Sequence, residues 1–379
     1  MRNRIFFIDP QSMSNLAEYD YSVTHEMNCN IIYLCSKYYD YEINPKLTYI
    51  PIFEYNHKKN CLTKTVSYIN SLLCIIFYTI KYKPALVHIQ WFKIPKIDYY
   101  FWKILKETFH FQVIHTAHNL LPHNTGEKYK HIYGNIYSKL ADKTIVHSSN
   151  TKKELTKLFG IAQDKVIVIR HGLLNMKFNE ERFKEISQNS NYKEFIKDKI
   201  VFTSLGEQSW YKGSDTIIDV WKSTPELYQS DKCCLVIAGK FDGINYKELE
   251  NIKNVIIKNN RISNEEYMFW LKHTAAYLLP YRVISQSGAL LTTLAAHIPI
   301  VVSNVGGLNE PLNVAEVGWN IGDANPENLR KTLLTILHTP QIIEHIKNDY
   351  KSWNSIEAFY DWKRISKQTE SLYYEMTNR

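Results

Sequence analysis

The 379-residue chain has no D-x-D pair, no C-x-x-C, no G-x-G-x-x-G and no Walker A loop, and its longest greasy run is residues 72–78. That run is far below the ~20 residues that cross a bilayer. Without D-x-D, the sequence offers no grouped carboxylates through which a divalent metal would hold a nucleotide diphosphate. Six cysteines (Cys29, Cys35, Cys61, Cys74, Cys233, Cys234) without zinc or disulfide spacing read as reduced thiols. The apolar run at 5–8, after Arg2 and Arg4, is too short for a signal peptide, so a cytoplasmic location is expected. Arginine is absent from residues 51–150, where thirteen lysines face only Glu54, Asp98, Glu107, Glu127 and Asp142; this window carries the whole net charge of +8. The preferred base reader is therefore missing where the charge lies, and no nucleic-acid partner is expected.

In the same window stand Tyr78, Tyr82, Trp91, Phe92, Tyr99, Tyr100, Phe101 and Trp102. Lysine mixed with Tyr and Trp suits the headgroup layer of an anionic membrane, or equally a solvated basic face over an aromatic core. Length and 45% apolar content fit two domains with sizeable cores. Short Ile/Val-rich segments without period-2 alternation recur at 4–8, 30–35, 86–91, 112–116, 143–147 and 165–170. They recur again at 200–205, 234–238, 254–257, 275–279 and 299–303, with helical patterns between most of them. This rhythm predicts βαβ units and parallel sheets. The expected fold class is α/β, two Rossmann-like doubly wound domains facing a central cleft. The expected domains are 1–172 and 173–352, with the amphipathic tail 353–379 packing back on the first.

Three segments carry candidate chemistry. His118, in HTAHNLLPH, lies just past the strand at 112–116, where such sheets place reactive groups. It reads as an active-site imidazole or as a histidine bonded to a neighbouring carbonyl. His115, His118 and His123 together match no zinc spacing, so no metal is expected. GEQSWYKG (206–213) follows the first strand of the second half; Gly206 permits close backbone approach and Lys212 offers a point charge for a diphosphate. In 285–293, Ser285, Gln286, Ser287, Gly288 and Ala289 open an Ala/Leu-rich helix. Main-chain N–H groups there can face an anion, with Thr292 one turn further on. Arg261 and Ile262, just after a strand end, are candidates for holding a nucleobase edge.

In this order, HTAHNLLPH, LADKTIVHSSNTKKEL, VIVIRHG, GEQSWYKG, LVIAG, RISNEEYMFWLKHTAAYLLPY and AAHIPIVVSNVGGLNE resemble the GT-B-fold retaining glycosyltransferases of the family-4 type (glycosyl transferases group 1) over nearly the full length. The resemblance implies transfer of a sugar from a UDP- or GDP-sugar to an acceptor hydroxyl with retention, the second half holding the donor and the first the acceptor. The family's active-site histidine maps onto His118, its phosphate-contacting lysine onto Lys212, and its loop of phosphate-facing amides onto 285–289. Ile284 and Thr292 stand where the family has two glutamates, and Glu207 where it tends to have arginine. A saccharide or lipid-linked acceptor, a role in bacterial capsule, exopolysaccharide or O-antigen assembly, and peripheral membrane contact are implied in turn. The alternatives are a non-catalytic transferase-like scaffold in a polysaccharide-assembly complex and a sugar-nucleotide epimerase of similar architecture.

Overall fold

The computed structural model describes residues 4–54, 61–122 and 126–378. It divides into two units, Met1–Gly172 with Asp361–Arg379, and Leu173–Tyr360.

The first unit is built on seven strands: β1 (Arg4–Ile8), β2 (Asn30–Ser36), β3 (Thr48–Phe53), β4 (Leu86–Ile89), β5 (Gln112–Thr116), β6 (Lys143–Val146) and β7 (Val166–Val168). All pairings are parallel, in the order β3-β2-β1-β4-β5-β6-β7. The strands are apolar on both faces because helices cover both. Phe6 and Ile8 point to one layer with Ile75, Tyr99 and Trp102; Ile5 and Phe7 point to the other with Tyr19, Val23, Leu372 and Tyr373. So α2 (Cys61–Tyr82) and α3 (Pro95–Phe109) share one face, while α1 (Asn15–His25) and the C-terminal helix Trp362–Thr377 share the opposite one. Right-handed crossovers require this, since β1 to β2 runs one way along the sheet and β3 to β4 to β5 the other.

The second unit has β8 (Ile200–Leu205), β9 (Gln208–Ser209), β10 (Cys233–Ala238), β11 (Phe241–Asp242), β12 (Val255–Lys258), β13 (Ala276–Leu279), β14 (Ile300–Val302) and β15 (Gly318–Asn320). Six of these form a parallel sheet in the order β12-β10-β8-β13-β14-β15, and β9 pairs only with β11. Its core also lies in two layers, one around Trp270 and Trp353, the other around Trp221 and Leu333.

Three of the differences from the sequence expectation have a clear physical reason. β3 carries Pro51 in TYIPIF, which speaks against a central strand; it is an edge strand, where a missing N–H is tolerated. β15 has three residues, one of them glycine, and gives almost no pattern. The tail also divides later than position 353. Helix Tyr350–Phe359 stays with the second unit, because Trp353 is fully buried in its core and stacks on His297 at 5.0 Å. The chain returns to the first unit only from Asp361, which caps the C-terminal helix by accepting from the Arg364 N–H at 2.9 Å.

Candidate functional site

In open parallel sheets, ligands bind beyond the strand C-termini where the strand order reverses. In the second unit this point is β8/β13, since the chain leaves β8 toward β10 and β12 and returns on its other side at β13. The loop after β8 holds Gly206, Glu207 and Lys212; the loop after β13 holds residues 285–287 and leads into helix Gly288–Ala295. Glycine packing holds the loops together. Gly213 has φ +68°, and a Cβ there would lie 2.0 Å from Pro280 O. Gly306 in turn is pressed against the carbonyl of Ile284, at 2.0 Å from the position of a Cβ. The Arg282 N–H donates to Tyr211 O (2.8 Å), and its guanidinium donates to Trp210 O (2.6 Å), both Asp215 oxygens (2.6 and 2.8 Å) and Thr216 Oγ1 (2.9 Å). Arg282 therefore straps the turn that carries Lys212 to the strand that leads into residue 285.

Lys212 is half-buried; burial pulls its pKa below that of a free lysine, and the Glu207 carboxylate opposes that shift. Ser287 caps helix Gly288–Ala295 by accepting from the Leu290 N–H at 3.2 Å. Gly288 is exposed, and Ser285, Gln286 and Ala289 are partly so. Thr292 is only 6% exposed, and Ile284 is 9% exposed. Arg261 (exposed) and Ile262 (partly buried) follow β12, two strands from β8 and thus roughly 10 Å along the sheet.

In the first unit His118 follows β5 next to the β1/β4 reversal. Its ring stacks on Trp91 (4.7 Å, 9° between planes), with the Tyr19 edge at 4.9 Å. His118 Nε2 lies 2.9 Å from the Gln90 amide, and its Nδ1 lies 3.3 Å from His147 Nε2. Buried His88, His115, His147 and His171 stand around it at the strand ends. Burial, reinforced by the neighbouring imidazoles, holds His118 well below the usual histidine range. Burial likewise pushes His88 and His171 down to about 3, and His115 and His147 down to about 4.

Proton bookkeeping fixes the tautomers. His147 Nδ1–H donates to Ile169 O (2.9 Å), so its Nε2 accepts from His118 Nδ1–H. His118 Nε2 is then an acceptor. The chain closes with the Gln90 NH2 toward His118 and its oxygen toward His88, an orientation isosteric with its alternative. A cavity of about 340 Å³ opens beside this ring, lined by Gln11, Gln90, Trp91, Lys93, His115 and Asn119 among others. Trp91 Nε1 and His115 Nε2, both buried, have no hydrogen-bond partner. His123 lies outside the described residues; among those described, no group of three His, Cys, Asp or Glu side chains could hold a metal ion.

Sequence reasoning placed His118 at a strand end but did not single out Gln90, Trp91, His147 or Arg282. The same rule, applied to the strands at 86–91 and 143–147, reaches the first three.

Two family models match the chain, each on one unit: Glycosyltransferase Family 4 over residues 30–173 and Glycosyl transferases group 1 over residues 185–353. The chain belongs to the family-4 type of glycosyltransferases. An uncharacterised glycosyltransferase of Methanocaldococcus jannaschii is 24% identical over 236 residues, which is 60% of this chain and 59% of that relative. The match thus spans less than two thirds of the relative's length. Sucrose-phosphate synthase of Thermosynechococcus elongatus is 16% identical, with 99% of each chain covered and a TM-score of 0.72. HepE of Anabaena, solved with UDP and glucose, is 12% identical, with 98% of this chain and 100% of that one covered and a TM-score of 0.71. These likenesses establish the GT-B fold, two Rossmann-like parallel-sheet domains, for this family-4-type chain.

Proposed function

We propose that this chain transfers a sugar from a UDP- or GDP-sugar to an acceptor hydroxyl, with anomeric configuration retained. The observation that carries the reading is the β8/β13 reversal, where Lys212 and the segment 285–289, exposed at Gly288 and partly so at Ser285, Gln286 and Ala289, are held by loops locked together by Gly213 and Arg282. The donor diphosphate docks there, against one ammonium and the Gly288 and Ala289 amides that open helix Gly288–Ala295. As the bond from the anomeric carbon to the diphosphate oxygen breaks, these groups hold the growing negative charge. The acceptor oxygen bonds the anomeric carbon from the same face, and its proton passes to a departing phosphate oxygen. Charge compensation by Lys212 and amides is the basis for proposing a metal-independent reaction, in a chain without D-x-D. Arg261 and Ile262 would meet the base.

The cavity beside His118, lined by the polar side chains of Gln11, Gln90, Lys93 and Asn119, suits a hydroxyl-rich acceptor. A neutral His118 orients such a group through the Gln90 amide that it holds. A lipid-linked saccharide acceptor in bacterial polysaccharide assembly, reached by a cytoplasmic protein at the inner membrane face, fits the basic, aromatic stretch 51–150. The scaffold reading keeps one point in its favour: the two positions where the family has glutamates, Ile284 and Thr292, are nearly closed to solvent.

A thermal-shift panel of UDP-, GDP-, ADP- and CMP-sugars tests the donor site, since ligand binding raises the folded state's stability. One nucleotide class should shift the melt, and Lys212→Ala should weaken that ligand by roughly 2 kcal/mol, about thirtyfold, while barely affecting the nucleoside. Equal losses for both would remove the diphosphate assignment. Slow hydrolysis of the bound sugar-nucleotide separates a transferase from a scaffold.

A further inference from the structure

Helix α2 is amphipathic in the wrong sense for a helix that only covers a sheet. The residues it buries most deeply are Ser71, Ile75 and Thr79. The two hydroxyls are satisfied by backbone carbonyls, Ser71 by Ile52 O and Ser67 O (2.9 and 3.0 Å), Thr79 by Ile75 O (2.8 Å). Leu72 and Ile76 on its flank pack against the core. Its outward stripe is Val66, Ile69, Leu73, Phe77 and Ile80, each 49–58% exposed. Spacings of three and four residues put all five within roughly 80° of arc on one side of the helix. Neighbouring α3 repeats the pattern: it buries Tyr99, Trp102 and Leu105 and exposes Ile97, Tyr100 and Ile104.

The stripes are continuous. Tyr68 on α2 bonds to Asp98 on α3. An apolar cavity of about 500 Å³, lined by Phe53, Tyr68, Ile69, Leu72, Ile94 and Ile97 among others, joins them. Charge selects the occupant. Residues 61–110 hold seven lysines and no arginine, against Asp98 and Glu107. Asp98 is buried, Glu107 lies 3.8 Å from Lys103, and Glu54, which also lines the cavity, pairs with Lys37 at 3.2 Å. Lys64, Lys81, Lys83 and Lys96 are exposed on these helices or in the segment joining them, and Lys81 extends over the rings of Tyr78 and Tyr82. An apolar stripe with lysines near it and almost no acid fits a surface that is apolar within and anionic at its boundary. No helix among the described residues is long and apolar enough to cross a membrane.

We propose that the outer faces of α2 and α3 form an interfacial docking surface for an anionic lipid bilayer, with Leu73, Phe77 and Ile104 entering the headgroup boundary and the lysines meeting lipid phosphates. The inference deepens the lipid-linked-acceptor reading and rests on it for purpose, but vesicle binding needs no sugar donor. The full-length chain is sedimented with phosphatidylcholine vesicles, with and without a third of phosphatidylglycerol. Binding is expected to the anionic vesicles and to fall as salt rises. Leu73→Ser with Phe77→Ser should lower it by roughly tenfold or more. Lys81→Gln and Lys83→Gln should each lower it by roughly fivefold. Circular dichroism and the nucleotide-sugar thermal shift should be unchanged in every variant, which keeps failure of this surface separate from failure of the donor site. Equal binding to both vesicle types, or binding unmoved by the substitutions, overturns the proposal. So does a dimer in sedimentation velocity that Leu73→Ser with Phe77→Ser abolishes, because the stripe then serves a second copy of the chain.

Discussion

His118 shows what a partly buried imidazole can and cannot do. A histidine at its ordinary pKa would trade protons near neutrality. Here burial and four neighbouring imidazoles keep it neutral, with Nδ1–H committed to His147 and Nε2 facing the Gln90 amide. Such a ring is a poor proton acceptor; it acts by holding the Gln90 amide and, through stacking, Trp91 beside the cavity where the acceptor would bind. Two outcomes follow for sugar transfer. His118→Ala should reduce turnover strongly, by two orders of magnitude or so, and leave nucleotide affinity nearly unchanged in calorimetry. The pH profile of turnover should show no acid limb from His118 between about pH 6 and 8, because a group held well below its free value of 6.5 is already deprotonated across that range. An acid limb that disappears in His118→Ala would instead make it a titrating base.

At the scale of elements, packed backbones fix where the site residues sit. Gly213 and Gly243 both have left-handed φ, +68° and +67°, but a Cβ meets Pro280 O at 2.0 Å at the first and nothing within 4 Å at the second. Gly243→Ala should therefore cost only the conformational strain, about 1 kcal/mol. Gly213→Ala adds a backbone clash that pushes the Lys212 turn off β13's loop. It should destabilise by roughly 2–4 kcal/mol and weaken donor binding, both read from urea midpoints with and without nucleotide. Equal effects of the two substitutions would mean that the loops are not locked against each other.

This contact shows where the sequence was legible and where it was not. The buried parallel strands and the glycine-bounded loops could be read directly, because continuous Ile/Val runs and Gly-flanked turns are local signals. The β3 edge strand was masked by Pro51. α1, whose buried residues include Glu18 and Asp20, lacks an apolar stripe to read. The strap from Arg282 to Asp215 joins residues 67 positions apart and leaves no local trace. The lysine- and aromatic-rich window had two readings, and the residues divide between them: Tyr99 and Trp102 are core, whereas Phe77 and Tyr100 are exposed.

Across the molecule, the two units differ in how they carry protons. Among the described residues, every buried histidine lies in the first unit: His88, His115, His147 and His171. Their folded pKa values, about 3 to 4, are depressed below 6.5. The unfolded chain then binds protons near pH 6.5 that the folded chain refuses, so this stabilisation is present above pH 6.5 and is lost as pH falls toward 4. Asp9, raised to about 6 by burial, and Asp20, raised well above the usual carboxylate range by burial and by Asp9, act in the opposite sense. Stability from these carboxyls is greatest in acid and declines as pH rises through about 4 to 6 and beyond. Four histidines plus His118 outweigh two carboxyls, so the net effect of acid is destabilising, and it falls on the first unit. Hydrogen exchange with mass spectrometry, corrected for the intrinsic pH dependence, should show β4, β5 and β6 losing protection between pH 7 and 5 while β8, β10 and β13 keep theirs. Loss appearing first in the second unit would mean that the histidine cluster is hydrated and titrates normally. Asp20→Asn separates the carboxyl contribution. By removing a carboxyl that resists ionisation, it should raise the melting temperature more at pH 8 than at pH 5, and a larger gain at pH 5 would reverse the sign assigned to that burial.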